Sequence, residues 1–345
     1  MEHWRRASCY MIAIAMGFSA MVTEFAGAQA ETSPYFRIGT GGIAGTYFPI
    51  GSLIAQGLTE PGPNEPCAAG TGCGVPNLLA VAQISNGSIS NINSLASGEL
   101  EAALIQADAA FWAYQGSEIF ESKGPVSNLR AIGALYPESL HIVVRRDSGI
   151  RSVRDLRGKR VSLDEPGSGT LIDSRILLEA YGLSENEIQP EYIKPALSAK
   201  KMTAGTLDAF LIFAGYPAPS IQRLSAEIEV MLLPVTGPEV AKISRQNGFL
   251  RQGEIPAGVY SRVENTPTLE VMALLVVRAD VSEDLIFKVT RSLWSPRTVG
   301  LLHGGHPKGR DIRLETATKG VTIPFHPGAA GFYRTAGIRL NEQMK

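Results

Sequence analysis

Two apolar, β-rich segments constrain this chain more than any other feature: Ala131 to Arg145 and Thr268 to Arg278. Each is long enough to run from one lobe of a protein into another. Around them, short apolar strands alternate with helical patterns, the grammar of an α/β fold with mostly parallel sheets. Two arrangements fit. The segments are either long strands of one large sheet, or a double crossover that carries the chain into a second lobe and back. A length of 345 residues favours the crossover, with lobe 1 at 31–138 plus 276–345 and lobe 2 at 139–275.

The first thirty residues read as an export signal, 1–30, and not as part of the fold. Arg5 and Arg6 precede a nearly uninterrupted apolar run from Cys9 to Val22, and Ala28-Gln29-Ala30 is a small-x-small cleavage site. That run falls short of the roughly 20 residues that span a bilayer. The expectation is a mature chain cleaved after Ala30, exported and not membrane-spanning. With 32 Lys+Arg against 33 Asp+Glu the net charge is −1. Such a balance offers no basic surface to a nucleic acid.

Export leaves Cys67 and Cys73, six apart in a glycine-rich stretch. An even pair in an oxidising compartment points to a disulfide, and closing so small a ring adds about 2 kcal/mol. A metal site would want a histidine nearby, and a redox pair is usually Cys-x-x-Cys.

The strand–turn–helix units carry the chemistry. Phe36-Arg37-Ile38 leads through Gly39 to Thr46 into a helix with Tyr47, Ile50, Ile54 and Leu58 on one face. Val81 to Ile84 and Ala102 to Gln106 read as strands, Ser88 as the cap of the helix between them, and Ala109 as the start of the next. Ser152-Val153-Arg154-Asp155 is a capping box. Val161 to Leu163 leads through Glu165-Pro166-Gly167-Ser168-Gly169-Thr170 into a helix carrying Ile172, Ile176 and Ala180; Ala209 to Phe213 and Val230 to Leu233 are further strands. Backbone amides at a helix N-terminus hold carboxylate or phosphate, and Thr46, Ser168 and Thr170 add hydroxyl donors. Either turn alone is equally well a tight βα connection. The pair, one per lobe, points to a small anionic ligand between them.

Catalytic and cofactor patterns are thin. Gly39-x-Gly41-x-x-Ala44 has the spacing of a dinucleotide fingerprint, but the acidic residue it needs, Glu60, falls in a proline-glycine loop with no strand before it. His303 and His306 lack a third metal ligand and read as solvated loop residues. Ser198-x-x-Lys201 lacks the Lys-Thr-Gly that would complete a penicillin-recognising site, and Ser168 lacks a Gly-x-Ser-x-Gly elbow. No catalytic residue, metal or cofactor is expected.

A series of short motifs adds a family resemblance. Arg37 to Gly41 through Gly45-Thr46-Tyr47-Phe48-Pro49, Gly87 to Ile92, Gln106-Ala107-Asp108 with Trp112-Ala113-Tyr114, and Leu135-Tyr136-Pro137-Glu138-Ser139-Leu140-His141 resemble the TAXI-type solute receptors of TRAP transporters. So do Asp155 to Lys159, Gly167 to Thr170, Ile255 to Tyr260 and Ile323 to Gly328. The blocks run in order over nearly the whole mature chain. The resemblance implies a two-lobed periplasmic binding protein of the type II fold, with its ligand cleft between the lobes. Such a receptor delivers glutamate, glutamine or a related carboxylate to a TRAP permease driven by an ion gradient. By position, the ligand residues would be Thr46, Tyr47, Ser88, Asn91, Gln106, Asp108, Ser168, Gly169 and Thr170, with Tyr216 as a wall. Asp108 would face a ligand ammonium or cap a helix, and Tyr47 would line the cleft or join the core. Other readings are a binding protein that feeds a membrane sensor, or a secreted enzyme. The Cys67–Cys73 insertion and Ala82-Gln83-Ile84-Ser85, where relatives commonly carry a Thr-Gly run, set this chain apart.

Overall fold

The computed structural model describes residues 35–62 and 73–341. The expected export signal lies outside the described residues, and so does Cys67. Cys73 is disulfide-bonded. Among the described residues no helix is long and apolar enough to cross a membrane.

The first block runs β1 (Tyr35–Gly39), α1 (Tyr47–Leu58), β2 (Leu79–Gln83), α2 (Ser88–Ser97), β3 (Ala102–Gln106), α3 (Ala107–Gln115) and the long β4 (Leu129–Arg145). The second runs β5 (Arg160–Ser162), α4 (Gly169–Ala180), β6 (Gln189–Glu191), α5 (Pro195–Thr203), β7 (Ala209–Ala214), α6 (Pro219–Glu227), β8 (Val230–Leu232), α7 (Pro238–Gln246) and β9 (Arg251–Ile255). The long β10 (Thr266–Arg278) brings the chain back to α8 (Glu283–Leu293), α9 (Pro296–Gly305) and α10 (Pro327–Thr335).

These strands form one sheet in the order β2-β1-β3-β10-β4-β7-β5-β6, with β8 on β4 and β9 on β10. From Leu129 to Ser139, β4 pairs with β10; from Ser139 to Val144 it pairs with β7. At about 3.3 Å per residue, the 17 residues of β4 reach from the β1–β3 half of the sheet into the β5–β7 half. The architecture is therefore the two-lobed α/β fold, with β4 and β10 as its links. The sheet is not mostly parallel, however. Strands within each half run parallel, but every pairing of β4 and β10 with another strand of the sheet is antiparallel. β10 runs against the strands of the first half, and β4 against those of the second.

Tyr47, Ile50, Ile54 and Leu58 of α1 recur at three- and four-residue spacing and are all buried against the sheet. The α4 stripe differs from its expected set. It buries Leu171, Ser174, Leu177 and Leu178, and leaves Ile172 and Ile176 half-buried. α4 packs on both β7 and α7, so its covered face is wider and turned by one position. The capping box at Ser152 and Asp155 is present as the spacing requires.

Candidate functional site

The N-termini of α1, α2, α3 and α4 converge on one cleft, outside the carboxyl ends of the strands that precede them, where open α/β sheets place ligands. Its wall runs over 41–47, 86–88, Gln106, Glu138, Asp164 and Glu165, 168–170, 194–196 and 212–214. Of the residues singled out in the sequence, Thr46, Tyr47, Ser88, Gln106, Ser168, Gly169 and Thr170 are in this wall. Asn91, Asp108 and Tyr216 are not.

Each displaced residue has another role. Asn91 is fully buried, and its Nδ2 donates to Thr40 O at 2.7 Å and Leu104 O at 2.8 Å, tying β1 to β3. Tyr216 carries the Lys308 ammonium 3.8 Å from its ring centroid. Asp108 sits in the first turn of α3, where its Oδ1 accepts the Ala109 amide at 2.6 Å.

Ser88 is not the cap of α2. Gly87 takes that place at φ +109°, a conformation that suits glycine. The Ser88 hydroxyl accepts the Gln106 amide at 3.1 Å and donates to Gln106 Oε1 at 3.3 Å. His306, expected in solvent, is buried, with Nδ1 accepting the Lys308 amide at 3.1 Å. Ser198 bonds the Ser162 hydroxyl at 3.0 Å and Lys201 pairs with Glu191, a structural use of both.

The two turns do not present the same chemistry. Ser168 caps α4 by accepting the Leu171 amide, and Thr170 Oγ1 accepts the Phe213 amide at 3.0 Å. Both hydroxyls lie near enough to Asp164 to favour its charged form, a carboxyl of the protein's own in the left-handed region at φ +73°. Burial pushes Asp164 up to about 7, against the pull of these hydroxyls. The hydroxyls expected to meet a ligand carboxylate thus already serve an internal one. The first turn is open by comparison. No side chain caps α1, its first turn holds no acidic residue, and the Thr46 hydroxyl donates across the cleft to Gly215 O at 2.6 Å.

Sequence reasoning missed three wall residues: Glu138, Asp164 and Lys194. Glu138 is buried on β4 and accepts the Tyr47 hydroxyl at 2.5 Å. Burial, with Asp108 adding negative charge, pushes it up to about 8 despite that bond. Lys194 lies 3.6 Å from Glu165 and donates to Asn86 Oδ1 at 3.3 Å. A signal for Glu138 existed: it is the lone acid of β4.

Across the cleft the two halves are joined by hydrogen bonds. Ser90 N donates to Gly167 O at 2.9 Å, Asn86 Nδ2 to Pro166 O at 3.3 Å, and Gln106 Nε2 to Asp173 Oδ2 at 2.9 Å. Among the described residues no group of three or more His, Cys, Asp or Glu is arranged to hold a metal.

Comparison with known proteins gives a match to the NMT1-like family over residues 38–337. Among solved structures, a protein of Bordetella bronchiseptica RB50 has TM-score 0.50 at 14% identity over 90% of this chain and 84% of that one. The likeness is one of fold. PhnD1 from Prochlorococcus marinus, in complex with methylphosphonate, has TM-score 0.49 at 10% identity over 88% and 99% of the two chains. The alkanesulfonate-binding protein SsuA from Xanthomonas axonopodis pv. citri, bound to MOPS, has TM-score 0.44 at 15% identity over 90% and 96%.

Proposed function

Because the chain belongs to the NMT1-like family, we propose that it is a periplasmic solute-binding protein that takes a small zwitterionic carboxylate, an amino acid of glutamine or glutamate size, into this cleft. The lobes would be 31–138 plus 276–345 and 139–275, moving about β4 and β10. Delivery would be to a TRAP permease, the partner implied by the ordered motif series, and Cys67 would be the partner of Cys73.

One observation carries the ligand class: the wall pairs an open helix N-terminus at α1 with a buried carboxyl, Glu138, that has no cation beside it among the described residues. The amides of the first turn suit a ligand carboxylate. Glu138 stays protonated without a counter-cation, and a ligand ammonium would charge it. A dicarboxylate brings no ammonium to pair with Glu138, so the zwitterion is favoured over the dicarboxylate.

The test is a thermal-shift panel on residues 31–345 with amino acids and dicarboxylates at about millimolar concentration. A micromolar ligand at that level adds about 4 kcal/mol, a rise of several degrees. The expected result is a rise with glutamine or glutamate. A flat response to every amino acid would overturn the ligand class.

A further inference from the structure

Behind the cleft wall, one carboxyl from each half meets the other, and no part of the proposed ligand contact uses them. We infer that closing the cleft takes up one proton, shared between Asp108 of α3 and Asp173 of α4. The inference rests on the solute-cleft reading and adds a regulation to it.

The geometry leaves little else. Asp108 is 1% and Asp173 2% exposed, and the two carboxyls lie close enough to act directly on each other's titration. Asp108 Oδ2 and Asp173 Oδ1 are both buried without a hydrogen-bond partner. The outer oxygens are satisfied by the Ala109 amide on one side and Gln106 Nε2 on the other. One hydrogen shared between the two carboxyls would satisfy both unpartnered oxygens, one group protonated and the other accepting.

Among the described residues no cation relieves the pair. α2, β3 and β7 bring no charged side chain. β4 brings Glu138 and the buried Tyr136 hydroxyl, and α1 brings Tyr47, bonded to Glu138. On α4 itself, Arg175 is engaged by Glu185. α7, packed on α4, carries Glu239, paired with Arg154, and the exposed Lys242 and Arg245. Negative charge from Glu138 acts on Asp173 and adds to the effect of burial.

Separated and solvated in an open cleft, both groups titrate near about 4. Closed, burial raises Asp108 to about 6 and Asp173 further. Closure therefore binds a proton above about pH 4, and ligand affinity falls as pH rises, by up to about tenfold per pH unit between pH 5 and 7. Low pH holds the cleft shut, and rising pH loosens it.

Asp173→Asn is the informative variant, since its amide donates to Asp108 and its oxygen still accepts from Gln106 without a shared proton. Titration calorimetry with L-glutamine at pH 6.5, in buffers of different ionisation heat, counts protons bound per ligand. Wild type should take up about one more proton than Asp173→Asn; equal counts would overturn the inference. Should L-glutamine bind neither protein, the ligand reading has failed, and small-angle scattering without ligand tests the pair alone. The wild-type radius of gyration should grow from pH 5 to pH 8 while that of Asp173→Asn stays constant. A pH-independent radius in both proteins would overturn the shared proton by itself.

Discussion

The turn before α1 and the turn before α4 read alike in sequence: strand, glycines, hydroxyl residues, helix. In the folded protein they are opposites. The α4 turn is already satisfied by its own carboxyl, Asp164, which accepts the Glu165 amide at 2.9 Å and has the Ser168 and Thr170 hydroxyls near it. The α1 turn has no cap and no acid, and its Thr46 hydroxyl reaches the other half. Anion attraction at a helix N-terminus is a local property, cancelled by an anion one turn away. A repeated motif therefore need not repeat a binding role. On the proposed reading, one turn receives the ligand and the other closes over it.

The largest effect on this contrast should come from Gly169→Ala. A Cβ there would lie 1.4 Å from Gln106 Oε1, which Ser88 and Asp173 hold on either side through the Gln106 amide. The clash is across the cleft and not within either half. Ligand affinity should fall at least about 100-fold by calorimetry, with an unfolding midpoint close to wild type.

Asp164→Asn would sharpen the comparison. Asparagine tolerates φ +73° and keeps an oxygen for both hydroxyls while removing the charge. The second turn should then accept an anion, and glutarate should bind more tightly than to wild type. Stability carries a signed prediction as well. The raised Asp164 makes wild type lose stability as pH rises from about 4 towards 7, a loss the variant escapes. At pH 8 Asp164→Asn should be more stable by about 2 kcal/mol in urea unfolding, with no advantage below about pH 4.

Thr170→Ala is the mildest test. It leaves the Phe213 amide without its 3.0 Å acceptor and removes one donor from Asp164. About tenfold weaker ligand binding is expected, and the protein should remain folded. An unchanged Kd would show that the α4 turn plays no part in holding the ligand.

What the sequence made legible was local. The α1 stripe, the capping box at Ser152 and the two glycine turns follow from spacing and short-range bonding, and the structure has them. Glu138 was hidden because an apolar strand announces burial and not which side chain meets a cleft. Asp108 and Asn91 were placed with their motifs in the wall, yet the sheet draws both behind it. Asp164 went unremarked because its effect depends on a left-handed backbone that brings it under α4. The mostly parallel expectation failed at β4 and β10, whose direction depends on long-range pairing.

The account turns on Glu138 as the partner of a ligand ammonium. Its direct test is calorimetric titration of wild type and Glu138→Gln with L-glutamine and with glutarate at pH 7. The account predicts that wild type prefers L-glutamine strongly, and that Glu138→Gln loses about 100-fold in affinity for it while glutarate binding does not weaken. Equal L-glutamine affinity in the two proteins, or a wild-type preference for glutarate, would contradict it.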